Sequence, residues 1–374
     1  MKRRKRVPLV LAAGILMLAA GLIGLQSVPE AEQYAFLPAE EKTADTLNRL
    51  ETARTALADA FPRLTLHGTK NGVTLTAGGI SQNDVCLYLT GPGWSDVYPR
   101  RMISGRPIAG ADAENGAKII VLDEATAFKF FGEKDAVGKT VTLDGQTLEV
   151  VGVAVHSRRI GETGTQAAWV PLGTVNDPEL MTLSAVDPAG SRMTTLFRNA
   201  AAEAFGSGTG ISLAKEKTRA TMIVRWVILI AGVWLLRWAV GRLGGSWRKR
   251  TARVREEQKK RYAARLIPWA ARELMPAMIA TAAVIGAGAL LAIFAVEPAY
   301  VFPEWIPESL GDFSKWAARF WDLTGAAAQP VNLKTPELAE ARFWGGLIRW
   351  GTVMVLLGGF PIASQPPFGL KDQS

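Results

Sequence analysis

Four long apolar blocks constrain what this chain can fold into more than any other feature. Val7 to Leu25 carries no charged and no strongly polar side chain. At 1.5 Å per residue such a stretch reaches roughly 28 Å, about the hydrocarbon thickness of a bilayer. Five basic residues, Lys2 to Arg6, precede it. A cleaved signal peptide begins the same way, but its apolar region usually runs about 7–15 residues. The block therefore reads first as an uncleaved signal-anchor, with cleavage as the alternative. The second block is Thr221–Leu243, with Arg225 and Arg237 placed to snorkel from its ends. The third is Pro276–Val296, and the fourth is Phe343–Ala363. An amphipathic core helix is the competing reading of the second and fourth. Arg349 lies inside the fourth block; a charge within a span is a functional candidate by default, with snorkelling as the alternative.

Charge placement sets the expected orientation. The net charge is +9, from 43 Lys+Arg and 34 Asp+Glu. The N-terminal cluster and the stretch from Arg242 to Glu273 together carry more positive charge than the whole chain, so the remainder is acidic. Basic segments stay in the cytoplasm. The expectation is a multi-pass α-helical membrane protein with four spans and both termini cytoplasmic. Its segments are 1–25, basic N-terminus and first span; 26–220, outer domain; 221–243, second span; 244–275, basic cytoplasmic segment; 276–296, third span; 297–342, outer loop; 343–363, fourth span; and 364–374, cytoplasmic tail. The basic charge is thus a topology signal, and no nucleic acid partner is expected. Most of the 12 Trp lie at or after Trp226, as membrane-interface belts would have it.

The 26–220 region is long enough for its own core and reads as α+β, placed between the first and second spans. Leu47, Leu50, Leu57 and Phe61 recur at helical spacing, with Thr43 or Asp45 to cap. Strand-like runs follow at Leu64–His67, Val73–Thr76, Val85–Thr90 and Ile119–Leu122. Asp123 opens a short helix that Gly132 ends, with Phe128 and Phe131 expected in the core. Asp144-Gly145 between Thr140–Leu143 and Leu148–Val155 is a hairpin signal. Trp169–Leu172 and Met181–Val186 complete the strands, and Ser191–Phe205 reads as a helix through Met193, Leu196, Ala200 and Phe205.

Residues 98–172 carry a resemblance. A Gly105-Arg106 turn precedes the strand Ile119–Leu122, followed by Ala127-Phe-Lys-Phe-Phe-Gly132, Gly138-Lys139, the hairpin and Val150-Val-Gly-Val153. This order resembles the MacB-like periplasmic core domain of MacB/FtsX-like (type VII) ABC transporter permeases. The resemblance implies four spans, a large outer domain between the first two, and mechanotransmission driven by a separate ABC-type ATP-binding subunit. It implies work as a homodimer or paired with a second permease. Gly105, Gly132, Gly138 and Gly152 would supply turns or close backbone approach.

By that analogy the ATPase would dock on the basic cytoplasmic segment. The candidate coupling residues are Arg261, Tyr262, Arg265, Leu266, Ile267, Trp269, Arg272 and Glu273, an amphipathic helix that seats apolar residues in a groove. A positive loop lying on anionic membrane lipid is the alternative. Phe313, Trp316 and Phe320 suggest an amphipathic helix in the outer loop, which reads first as packing on the outer domain, with a helix lying on the outer leaflet as the alternative. Gly286-Ala-Gly288 offers small-residue packing, either within one subunit or between two.

Other chemistry finds little support. One Cys excludes an intramolecular disulfide, and two His, His67 and His156, leave no metal-site pattern. No Gly-rich loop ends in Gly-Lys-Ser/Thr, so ATP hydrolysis is expected in the partner and this chain is not expected to be an enzyme. The outer carboxylates are scattered and read as a solvated surface, and His156 with Arg158 and Arg159 as a solvated loop. Gly206-Ser-Gly-Thr-Gly210 reads as a flexible turn. No cofactor is expected. The competing functional class is a non-transporting membrane scaffold or sensor whose outer domain binds an envelope protein.

Overall fold

The computed structural model describes residues 6–38, 43–156, 158–162, 164, 166–175, 177–186, 193–259, 262–301, 312, 314–315, 318, 321 and 333–363. They divide into two compact units, Met1–Ala220 with Trp321–Ser374, and Thr221–Phe320.

In chain order the elements are α1 (Arg6–Ser27), β1 (Ala31–Phe36), α2 (Thr43–Leu57), β2 (Leu64–Ala77), β3 (Ile80–Thr90), α3 (Trp94–Val97) and β4 (Met102–Gly105). Then come α4 (Gly110–Glu114), β5 (Ile119–Asp123), α5 (Glu124–Phe131), β6 (Thr140–Leu143), β7 (Gln146–Ala154), β8 (Gln166–Pro171) and β9 (Leu180–Val186). The chain continues through α6 (Thr194–Phe205), β10 (Thr209–Ser212), α7 (Leu213–Gln258), α8 (Ala263–Val301) and α9 (Pro336–Ala363).

The strands form one mixed sheet in the order β10-β1-β9-β2-β3-β8-β5-β7-β4, with β6 pairing β2 and β7. Strand alternation gives its two faces opposite chemistry. Leu66, Leu183 and Tyr34 fall at paired positions of β2, β9 and β1, on the face that packs with Leu50, Leu57, Phe197 and Phe205 of α2 and α6. Thr65, Ser184 and Gln33 are the paired positions of the other face, and His67 pairs both Thr182 and Thr90. That second face is polar yet buried over β1, β9 and β2, and turns apolar over β3, β8 and β5, where Tyr88, Trp169 and Val121 share a buried cluster.

Local signals account for several elements. Asp123 caps α5, its Oδ1 accepting the Thr126 amide at 2.7 Å, and Gly132 ends it with φ 70°. Asp144 and Gly145 both have positive φ, 48° and 79°, as a two-residue hairpin requires. Gly105 pairs with Gly152 where β4 crosses close to β7, and a Cβ on either would strike the opposite backbone.

Two core assignments are corrected. In α5, Ala127 and Phe130 face inward, Phe131 is partly buried and Phe128 is exposed. In α6 the buried face is Phe197, Ala201 and Phe205, while Met193 and Leu196 are exposed. α5 keeps its expected bounds and α6 begins at Thr194 rather than Ser191; in each the buried face is turned so that Phe130 or Phe197 enters the core.

Among the described residues three helices are long and apolar enough to cross a membrane: Leu9–Ser27 of α1, α7, and Leu266–Glu297 of α8. The fourth apolar block is also helical, and α9 begins earlier than the block, at Pro336, because Thr335 caps it and Leu338 and Ala341 are buried. α9 runs antiparallel to α1. Gly14 and Gly21 of α1 lie against Met354 and Ile348, and Gly351 and Gly358 of α9 lie against Leu18 and Leu11. Small residues permit this approach.

In the second unit α7 and α8 run antiparallel. Arg225 meets Glu297 at 2.7 Å, Trp247 Nε1 donates to Thr281 Oγ1 at 2.9 Å, and Arg250 and Arg253 meet Glu273 at 3.4 and 3.3 Å. Their outward faces are apolar, with Ile230, Trp234, Ile285 and Leu290 exposed.

Candidate functional site

The site begins at β1, a strand whose six residues are all buried, Glu32 and Gln33 included. A buried amide or carboxylate must find partners or lose a desolvation cost of several kcal/mol, about 2–7 for an amide. Gln33 finds them in three elements. Its Oε1 accepts from Thr335 Oγ1 at 2.7 Å, and its Nε2 donates to Tyr98 Oη at 3.0 Å and to Glu337 Oε2 at 3.3 Å. Tyr98 Oη in turn donates to Ser184 Oγ at 2.9 Å. Thr335 also accepts the Leu338 amide at 3.3 Å, so the cap of α9 is itself held by β1.

Glu32 holds the next helix. Its Oε1 accepts from Ser212 Oγ at 2.5 Å and from Thr194 Oγ1 at 3.3 Å. Ser212 Oγ also takes the Lys215 amide at 3.4 Å, which makes it the cap of α7. One turn below β1, Ser27 at the end of α1 donates to Glu340 of α9 at 2.8 Å. Three helices therefore converge on one short strand: α1 leads into it, α7 is capped through Glu32, and α9 through Gln33.

A second branch runs from α9 across the polar face. Arg159 meets Glu337 at 3.5 Å and gives its backbone amide to Glu162 Oε2 at 2.9 Å. Glu162 also accepts from Tyr88 Oη at 2.5 Å and pairs with His156 Nε2 at 3.0 Å. Arg100 Nη1 lies 3.1 Å from His156 Nδ1. A guanidinium only donates, so Nδ1 accepts and Nε2 carries the proton that reaches Glu162. Burial alone would raise the Glu162 carboxyl, but the hydrogen bonds from His156, Tyr88 and the Arg159 amide carry it down to about 2. Burial pushes the Tyr88 and Tyr98 phenols up, so both remain neutral donors. Burial takes His67 down to about 4, and it stays neutral. Cys86 is buried and its thiol is pushed up to about 12, which leaves it inert.

Most of these groups bond one another, while His67 Nδ1 and Glu340 Oε2 find no hydrogen-bond partner, and among the described residues of this network no nucleophile stands beside a free base. Among the described residues no group of three or more His, Cys, Asp or Glu could hold a metal. What the arrangement does is fix helix ends to a sheet.

The sequence reading of this region is corrected on two points. Glu32, Glu162, Glu337 and Glu340 are buried, and so is the His156 side chain. Their partners lie far along the chain, or in the covering loop, so composition gave no sign of them. The Gly206–Gly210 run is a turn only in part: Thr209 and Gly210 belong to β10 and pair with β1.

The expected coupling residues lie in the second unit. Tyr262 is 90% exposed and Ile267 is exposed, while Leu266 and Trp269 are half-buried. They open α8, which continues without a break through Pro268 and Pro276, so they form no separate helix. Arg272 is exposed, and Glu273 is occupied in binding Arg250 and Arg253 of α7. Arg261 and the Arg265 side chain lie outside the described residues, as do Phe313, Trp316 and Phe320. Arg349 is on the exposed side of α9. A Cβ at Gly286 or Gly288 would meet nothing within 4 Å, so neither glycine serves packing within the described chain.

Comparison with known proteins adds the following. The family model described as the MacB-like periplasmic core domain matches residues 11–204. The macrolide export ATP-binding/permease protein MacB of Neisseria gonorrhoeae is 29% identical over 108 residues, 29% of this chain and 17% of that protein. A probable export ATP-binding/permease protein of Pseudomonas fluorescens is 32% identical over 88 residues, 22% of this chain and 14% of that protein. The match thus spans less than a fifth of the length of these curated relatives. The crystal structure of the periplasmic region of MacB from Actinobacillus actinomycetemcomitans aligns with a TM-score of 0.40 at 16% identity, over 51% of this chain and 92% of that one.

Proposed function

Because the chain belongs to the family of the MacB-like periplasmic core domain, we propose that it is the permease subunit of an ABC transporter, a mechanical link between a separate ATP-binding subunit and its own outer domain. The observation that carries this reading is the convergence of α1, α7 and α9 on β1 through Glu32 and Gln33. Helices capped by buried hydrogen bonds on one strand move that strand when they tilt, because breaking each bond costs about 1–3 kcal/mol.

In this account α1, α7, α8 and α9 are four spans, and both termini are cytoplasmic, as the basic clusters favour. Closure of the ATPase pair pushes on the start of α8 around Leu266, Ile267 and Trp269, with the basic residues at the rim. The outer end of α7 transmits the tilt to β1. The outer domain then changes position, expelling a substrate or acting on an envelope partner. Two copies, or this chain and a second permease, serve the two ATPases, and anionic lipid meets the basic segment.

The test is affinity purification of the full chain from its host in mild detergent. A stoichiometric ATP-binding protein that is lost with Trp269→Asp or Leu266→Asp is the expected result. A preparation that carries envelope proteins and no ATPase would sink the transporter reading in favour of a scaffold.

A further inference from the structure

A cleft of about 370 Å³ lies between the C-terminal end of α1, the turn that follows α3 and the loop that follows β7. Ser27 and Pro29 come from the first, Arg100 and Arg101 from the second, and Val155 and Arg159 from the third. Every charged residue of its lining is an arginine, and no carboxylate lines it. Arg101 is exposed. Its carbonyl accepts the Val155 amide at 2.9 Å, which fixes the backbone at the cleft. Its side chain has no hydrogen bond or ion pair among the described residues.

The neighbouring carboxylates leave this charge in excess. Glu337 meets Arg159 at 3.5 Å and also accepts from Gln33. Glu162 is taken by Tyr88, His156 and the Arg159 amide, and Glu340 accepts from Ser27. Burial first, and then the like charge of Arg159, lowers the Arg100 pKa although Glu162 and Glu337 oppose it. The cleft therefore suits an anion. Guanidinium forks bind phosphate oxygens two at a time, where a lysine would offer a point charge.

Position decides where the phosphate comes from. Leu9–Ser27 is a stretch of 19 residues. That is roughly 28 Å of helix against a hydrocarbon core of about 30 Å. Ser27, its last residue, stands where hydrocarbon gives way to headgroups, and the cleft it lines opens at that level. Pro29, Val97 and Val155 add apolar wall, which suits the glycerol end of a lipid better than a free ion. We propose that this cleft binds the phosphate of an anionic phospholipid in the leaflet next to the outer domain, with Arg101 and Arg159 as donors and Arg100 adding charge. The inference needs α1 to cross the bilayer and does not rest on the transporter reading.

The test is photolabelling of the full chain in phosphatidylcholine nanodiscs that carry a trace of phosphatidylglycerol with a diazirine on its headgroup, read by peptide mass spectrometry. Saturable labelling of the peptides holding Arg101 and Arg159 is expected, displaced by unlabelled phosphatidylglycerol and not by excess inorganic phosphate. Arg101→Gln removes a charged donor and should weaken that labelling about ten-fold, while Arg101→Lys recovers part of it. Arg101 is exposed and takes no part in the mooring network, so both variants should melt like the wild type. Labelling near Arg248, in the basic segment, should stay constant and serves as the internal reference. Cleft labelling that is absent, or equal in the wild type and Arg101→Gln, overturns the proposal. So does displacement by inorganic phosphate as effective as by lipid, which would leave an anion site without a lipid.

Discussion

His67 and Glu162 lie on the same buried face and respond to acid in different pH ranges. Burial lowers His67 from 6.5 to about 4, with Glu337 opposing and Arg100 adding to the effect. The unfolded chain therefore binds a proton at a higher pH than the folded one. Stability from this residue is complete above pH 6.5 and is lost as pH falls through about 4, a difference of about 3 kcal/mol. Melting of the full chain in detergent should drop between pH 6.5 and 4, and His67→Gln should flatten that drop. Glu162, lowered from 4.5 to about 2, contributes stability that is complete above pH 4.5 and is lost as pH falls from there toward about 2. Glu162→Gln should instead destabilise at every pH from 5 to 8, by about 2–4 kcal/mol, because the amide keeps only one accepting oxygen and turns an N–H donor toward either Tyr88 or the His156 and Arg159 donors. A variant that melts like the wild type would show that the network contributes nothing.

At the scale of elements, the α1–α9 pair depends on glycine. A Cβ at Gly351 would lie 2.7 Å from the Leu18 backbone nitrogen and 2.9 Å from the Gly14 carbonyl. Gly351→Leu should cost about 1–3 kcal/mol in thermal unfolding. Gly286→Leu, into open space on α8, should fall within about 0.5 kcal/mol of the wild type. An equal loss at both sites would contradict the packing described for α1 and α9. These elements also show what the sequence discloses. α5 and the β6–β7 hairpin were readable because their signals are local: a capping Asp123, a terminal Gly132, an Asp144-Gly145 turn. The apolar blocks were readable because a bilayer demands about twenty such residues in a row. β1 was not, since Ala31–Phe36 places Glu32 and Gln33 in its middle, and a polar pair usually marks a solvated segment. Its partners, Ser212, Thr335 and Glu337, are at least 180 residues away. The sequence alternation that would mark a half-buried strand is absent because both faces of β1 are covered.

For the whole molecule, the account makes β1 the point where helix tilt becomes domain movement. Gln33→Leu removes the hydrogen bonds to Thr335, Tyr98 and Glu337 and keeps the bulk of the side chain. The variant should bind the ATPase as the wild type does, yet fail to move the outer domain. Cys86 is buried and its thiol unreactive, so labels can be placed at exposed Val137 and Tyr262 without removing it. The decisive measurement is the distance distribution between spin labels at Val137→Cys and Tyr262→Cys in the assembled complex, nucleotide-free and trapped with ATP. The account predicts a distribution that shifts on ATP trapping in the wild-type background and stays fixed with Gln33→Leu. Identical distributions in both nucleotide states of the wild type, with the ATPase bound, would contradict it.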